Sequence, residues 1–237
     1  GLLTVLRVML DLNVPHLIFS SSCTVYGEPE ALPVTEQAPV RPPGSVYGNT
    51  KQIGEEILFD VVQAGLPLNV LSLRYFNPVG AHPSALIGEL PIGVPANLVP
   101  FVTQTAAGLR EIITVNGDDY DTPDGTCIRD YIHVSDVAEA HVAALLRLVQ
   151  HTRAPHYDVI NLGTGQGASV LEVIHAFEAV TGVPLAWKTG PRRPGDIVSV
   201  YADAGKAQAV LGWQTTRHLA DALRDAWRWQ QTLPKKQ

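Results

Sequence analysis

The chain has 237 residues, 46% of them hydrophobic, enough for one or two packed domains. Its formal net charge of −6 comes without long charge runs and argues against nucleic acid or an anionic membrane as the main partner. No apolar run approaches the ~18 residues that cross a bilayer, no secretion signal opens the chain, and Cys23 and Cys127 fit neither a disulfide framework nor a metal spacing. They read as free thiols of a cytoplasmic protein.

From Gly1, GLLTVLRVMLDLNV is an amphipathic helix pattern already under way. HLIFSSS (16–22) predicts a buried strand that ends in Ser20, Ser21 and Ser22. Tyr47 to about Ala64 predicts a helix with Ile53, Ile57, Leu58, Val61 and Val62 on one side. LNVLSLRYF (68–76) is the next strand; the Gly- and Pro-rich stretch 77–97 has neither period and predicts a long loop. EIITVNG predicts a short strand, Asp136 opens a helix to about Gln150, and YDVINLG is again a strand. Ser169 and Glu172 have capping-box spacing for a helix to Val180, and a last helix covers about His218 to Gln230. Strands alternating with helices predict βαβ units, hence an α/β fold with a mainly parallel sheet.

Gly163-Thr-Gly165-Gln-Gly167-Ala168 fits the permissive dinucleotide fingerprint between a strand and a helix. The full fingerprint also needs an acidic residue about 20 positions on, to hold ribose hydroxyls, and the chain offers VPLAWKTG there. A tight strand-to-helix turn is the better reading. His133 reads as a packing residue, since no second metal ligand lies at useful spacing.

The chemistry-bearing stretch is SVYGNTK, with Tyr47 and Lys51 four residues apart on one helical face. Seven tyrosines and five lysines give ~0.15 such pairs by chance, so context must decide. An isolated phenol is a poor base at neutral pH, and a neighbouring ammonium favours its ionised form. Alone, Ser20–Ser22 read as a polar strand exit and Tyr47 as a half-buried helix-start tyrosine. Together they are a hydroxyl-rich strand end, followed 25 residues after Ser22 by the pair, at the sheet edge where open α/β sheets bind ligands.

LIFSSSCTVYG, SVYGNTK, RYFNPVGAHP, DGTCIRDYIHVSD, YDVINLGTGQGASV and PRRPGD occur in this order. In these motifs the chain resembles the extended short-chain dehydrogenase/reductase family, in its NAD-dependent epimerase/dehydratase branch, over essentially its whole length. The resemblance implies the C-terminal part of a Rossmann-like parallel sheet with helices, plus a smaller α/β substrate-binding domain. Residues 1–77 and part of 126–165 would belong to the NAD-binding domain, and 78–125 and 166–237 mainly to the substrate domain. It also implies about a hundred further residues before Gly1, bearing the first βαβ unit and its glycine-rich turn, so that the chain alone would bind NAD poorly and be inactive.

The implied activity is reversible NAD-dependent inversion at C4 of UDP-glucose and UDP-galactose through a 4-keto intermediate. By motif, Tyr47 is the base/acid, Lys51 its electrostatic activator and a nicotinamide-ribose contact, Ser22 the bridge between Tyr47 and the sugar hydroxyl, and Phe76 a neighbour of the nicotinamide. The UDP-hexose would be held by Asn77, Asn97, Leu98, Thr114, Val115, Asn116, Arg129, Arg193 and Asp196. Arginines suit its diphosphate, which they grip with forked, charge-assisted bonds. Asn116 stands where the family usually has an aromatic residue, so the base is stacked or hydrogen-bonded differently. Val200 stands where the family gates the group on C2, and its intermediate size leaves N-acetylhexosamines open. Another nucleotide-sugar dehydratase or decarboxylase, or a non-catalytic dinucleotide-binding regulator, shares the fold. Cys23-Thr24-Val25 lacks the carboxylates of dehydratases, and regulators typically lose the Tyr or Lys. The resemblance further implies a homodimer built on the helices at Gly1–Asn13 and Tyr47–Ala64.

Overall fold

The computed structural model describes residues 1–42, 44–150 and 155–234. In chain order the first half runs α1 (Leu2–Asp11), β1 (His16–Ser22), a 3₁₀ turn (Cys23–Tyr26), α2 (Val46–Gln63), β2 (Asn69–Tyr75), β3 (Asn77–Val79), α3 (Leu98–Ala106) and β4 (Ile113–Asn116). The second half runs β5 (Ile128–Arg129), β6 (Tyr131–His133), α4 (Val134–Gln150), β7 (His156–Leu162), β8 (Ala168–Ser169), α5 (Val170–Thr181), β9 (Trp187–Gly190), β10 (Ser199–Val200), α6 (Gly205–Leu211) and α7 (Leu219–Thr232). Two compact units result. The first holds Gly1–Phe76, Ala138–Leu162 and Ala202–Gln214; the second holds Asn77–Val137, Gly163–Tyr201 and the chain from Thr215 on.

The first unit is built on a parallel sheet of order β1-β2-β7. Its central strand is buried along almost its whole length, as a parallel strand covered on both faces must be. Helices α1 and α2 cover one face through Leu6, Met9, Leu58 and Val62, packed with Leu68 and Val70. Leu58 is fully buried and contributes ~2 kcal/mol by removal from water. Gly54 lets α2 come down onto β1, because a Cβ there would stand 2.5 Å from the Phe19 ring.

The second unit is centred on Val99, Val102, Ile113, Val173, Ile174, Phe177 and Leu223. α5 starts at the capping box that its sequence spacing predicts, Ser169 with Glu172, and ends at Gly182 in the left-handed conformation, φ 70°. Three short sheets surround this core, β10-β5-β8, β3-β6 and β4-β9.

Some elements differ from the sequence reading. The expected loop 77–97 opens with β3, which exists only by pairing in parallel with β6 and is too short to show a period. Helix α3 carries Pro100 in its first turn, where a missing N–H costs nothing. Within 166–237, which the sequence reading places mainly in the second domain, residues 202–214 cluster with the first unit. Asp203 N–H donates to Val34 O at 2.8 Å, and Lys206 Nζ reaches Asp158 at 2.5 Å, which fastens α6 beside β7. Among the described residues no helix is long and apolar enough to cross a membrane.

Candidate active site

In β1 the side chains alternate, so Ser20 and Ser22 point to one side and Ser21 to the other. Ser22 caps the 3₁₀ turn: its Oγ accepts from the Thr24 N–H at 3.2 Å and from the Thr24 hydroxyl at 3.0 Å. In both bonds Ser22 Oγ is the acceptor, so among the described residues its own proton can be donated to a ligand. The Ser20 carbonyl accepts from Lys51 Nζ at 2.8 Å, while the Ser20 hydroxyl accepts from the Tyr75 hydroxyl at 2.8 Å. Tyr75 also lies 2.6 Å from His141 Nε2. Burial pushes the Tyr75 phenol up, its hydrogen bond to Ser20 opposes this, and the nearby Tyr47 adds to the rise. Tyr75 is therefore a neutral phenol at pH 7.

Helix α2 begins at Ser45, whose hydroxyl accepts from the Gly48 N–H at 3.0 Å. Tyr47 follows in the first turn, near the positive end of the helix dipole. Tyr47, Lys51 and Glu55 recur at four-residue intervals along one stripe. The Lys51 ammonium stands 5.4 Å from the Tyr47 ring centroid and 5.5 Å from that of Phe19. Tyr47 is 54% exposed, accessible to a ligand, whereas Glu55 at the far end of the stripe is buried. Phe76 is buried behind the strand ends, its N–H bonded to Leu162 O at 3.1 Å. The first unit thus brings Ser22, Tyr47, Lys51 and Phe76 to the C-terminal edge of its sheet.

The second unit gathers Arg129, Arg193, Asp196 and Val200. Arg193 donates from Nε and Nη2 to Asp196 Oδ1 at 3.1 and 2.6 Å, and Arg129 Nη2 lies 3.8 Å from the same oxygen. Val200 pairs with Arg129 across β10 and β5 and is buried. Arg192 points elsewhere, over the Tyr120 ring at 4.2 Å and onto Asp119. Asn77, Asn97, Leu98 and Thr114–Asn116 stand on other elements. The Asn77 N–H bonds Asp130 O at 2.9 Å, and the Asn97 amide donates to Glu89 at 3.0 Å instead of capping α3, whose first residue is Leu98. In β4 Thr114 and Asn116 face solvent, while the Val115 side chain is in the core and leaves only its backbone for a ligand.

The turn at Gly163–Ala168 is filled from within the protein. Asp130, fully buried, accepts from the Thr164 N–H at 2.8 Å, the Thr164 hydroxyl at 2.7 Å and the Gly165 N–H at 3.1 Å. The backbone donors that a phosphate would need are thereby spent on a carboxylate. His133 has both ring nitrogens engaged, Nδ1 accepting from the Ser135 N–H at 3.0 Å and Nε2 lying 3.4 Å from Asp225. The sequence reading does not single out Glu55 and Arg74, and Asp130, which beside Arg129 could read as half of a surface ion pair, is fully buried. Glu55 had a signal, its place two turns beyond Tyr47 on one stripe, and Arg74 another, a charge inside an apolar strand.

Residues 1–163 match the NAD dependent epimerase/dehydratase family. The chain belongs to that family. Among the similar members is a UDP-glucose 4-epimerase of Yersinia pestis, 48% identical over 235 residues, which cover 99% of this chain and 69% of the relative. Among solved structures, the UDP-glucose 4-epimerase of Stenotrophomonas maltophila with bound NAD and formylated UDP-arabinopyranose is 50% identical with a TM-score of 0.93, covering 97% of this chain and 67% of that one. The Bifidobacterium longum UDP-glucose 4-epimerase in complex with NAD+ and UDP is 49% identical with a TM-score of 0.91, covering 97% and 68%. Likeness to these structures extends to the fold, an α/β arrangement with a parallel sheet.

Proposed function

We propose that this chain carries the proton-transfer and sugar-nucleotide residues of an NAD-dependent UDP-glucose 4-epimerase, which interconverts UDP-glucose and UDP-galactose through a 4-keto sugar. The observation that carries this reading is Lys51, held by the Ser20 carbonyl at 2.8 Å with its ammonium 5.4 Å from the Tyr47 ring. The donors present fit the nicotinamide end of NAD. An ammonium has three protons, and Lys51 gives one to Ser20, leaving others for ribose hydroxyls. When bound, NAD supplies the hydride acceptor and donor for C4.

The chain's own residues handle the proton and the grip. Tyr47 Oη would take the proton of the C4 hydroxyl as that carbon becomes a carbonyl, and return it to the same oxygen as C4 is reduced from its other face. The Lys51 charge stabilises the tyrosine oxyanion in between. Ser22, with its proton uncommitted, hydrogen-bonds the C4 oxygen and orients it towards Tyr47. In the second unit Arg129 and Arg193 grip the diphosphate, Asp196 and the amides of Asn77, Asn97 and Asn116 take hydroxyls or the base, and Val200 limits the group at C2. The first unit thus serves NAD and the proton, the second the UDP-hexose.

A homodimer and a cytoplasmic setting belong to the same reading. Leu3 and Val8 of α1, Leu12 just after it, and Ile53 and Phe59 of α2 are exposed apolar side chains suited to a self-contact, and both cysteines are buried and form no disulfide. Incubating the native protein with UDP-galactose tests the assignment. UDP-glucose is the expected product. A 4-keto-6-deoxy sugar nucleotide would replace it with a dehydratase, and NAD binding without turnover would replace it with a regulator.

A further inference from the structure

One level below the strand ends, the parallel sheet of the first unit carries a polar row where apolar side chains are the rule. Ser21, Arg74 and Asn161 occupy matching positions of β1, β2 and β7 and are at most 4% exposed. Glu55 closes over this row from α2. One carboxylate oxygen accepts from the Ser21 hydroxyl at 2.5 Å and from Arg74 Nε at 2.9 Å, and the other accepts from Arg74 Nη2 at 2.5 Å. The Arg74 guanidinium also stacks over the Tyr26 ring at 4.7 Å, and the Tyr26 hydroxyl donates to Asn161 Oδ1 at 2.7 Å. Burial alone would pull the Arg74 guanidinium down, but the bonds and charge of Glu55 leave it raised.

A buried ion pair of this kind adds little stability over well-packed apolar groups of the same shape. What it adds is geometry. A two-pronged carboxylate–guanidinium fork, anchored further by Ser21, fixes both the rotation of α2 and its height over β1 and β2. Because Glu55 shares a stripe with Lys51 and Tyr47, fixing one aims the other two. Tyr26 ends the turn that Ser22 caps, so the same row steadies Ser22 from the strand side. We propose that Glu55 and Arg74, assisted by Ser21, are positioning residues for the proton-transfer group, acting through α2 to hold Tyr47 and Lys51 at the end of β1. The proposal rests on the assignment of Tyr47 as acid/base.

The test is steady-state epimerisation by the native protein carrying Glu55→Gln, the apolar pair Glu55→Leu with Arg74→Met, or Ser21→Ala, with Tyr47→Phe alongside. Replacing both ionic partners preserves folding in many buried pairs, and Ser21→Ala removes a single hydroxyl. A small misplacement of a reacting group lowers kcat without weakening remote binding, so kcat should fall about 10–100-fold in the first two and about threefold in Ser21→Ala, with KM for UDP-galactose within about twofold. A purely structural role would reduce the yield of folded protein and leave kcat per folded molecule unchanged. That result in any of the three variants that folds, with Tyr47→Phe inactive, overturns the positioning role alone. Wild-type turnover by Tyr47→Phe overturns the catalytic assignment and the positioning role together.

Discussion

In the first unit the Arg74 and Glu55 side chains are 4% and 7% exposed and are joined by two roughly parallel bonds. In the second, Arg193 is 60% exposed and shares a single oxygen of Asp196 with Arg129. The same pair of functional groups thus plays two parts, which differ in how far solvent reaches the arginine. The buried fork cannot exchange partners without leaving a charge stranded in the core. Arg193 reaches the largely buried Asp196 from solvent, so its bond contributes about 1 kcal/mol or less and exchanges more readily than the fork. Rigid charge lies under the residues proposed to move a proton, and exchangeable charge lies where the diphosphate is proposed to bind.

The contrast breaks first at Arg74. Arg74→Met alone strands the Glu55 carboxylate and should cost about 3–5 kcal/mol in urea unfolding; a cost below about 1 kcal/mol would place the pair in the same class as the surface one. Arg193→Met should change unfolding by less than about 1 kcal/mol yet raise KM for UDP-galactose about tenfold, as loss of a charge-assisted contact does. An unchanged KM would remove Arg193 from the substrate site.

The smallest effect sharpens the comparison from inside the second unit. Burial lowers the pKa of His133, with the Asp225 bond opposing. The unfolded imidazole takes up its proton near about pH 6.5, before the folded one does, so the contribution is complete above that value and is lost as pH falls towards the folded pKa. Melting temperature should therefore decline between about pH 7 and 5.5 less steeply in His133→Gln than in the parent, and parallel curves would assign the decline to other groups.

Much of the frame was legible because it depends on local pattern. The strand ending in Ser20–Ser22, the helix from Tyr47 and the Ser169–Glu172 cap follow from periodicity and spacing. The strand and the cap fall where expected, and the helix bounds differ by one residue, as helix ends do. The Tyr47–Lys51 face was legible for the same reason, since four residues make about one helical turn. Elements such as β3, β5 and β10 were not legible, because two or three residues carry no period and exist only through a partner strand. Nor was the Glu55–Arg74 fork. Its members meet through the seating of a helix on a sheet, and the register that aligns Ser21 with Arg74 is a property of two strands together. The Asp130 carboxylate inside the glycine turn is hidden similarly, its partners lying 34 and 35 residues away.

Turnover of UDP-galactose to UDP-glucose by the native protein and by its Tyr47→Phe variant measures the central claim most directly. Removing one half-exposed hydroxyl should leave the fold intact and lower kcat by about 10²–10⁴-fold, the range of a lost acid/base group. Turnover within about threefold of the parent would contradict the assignment of proton transfer to Tyr47.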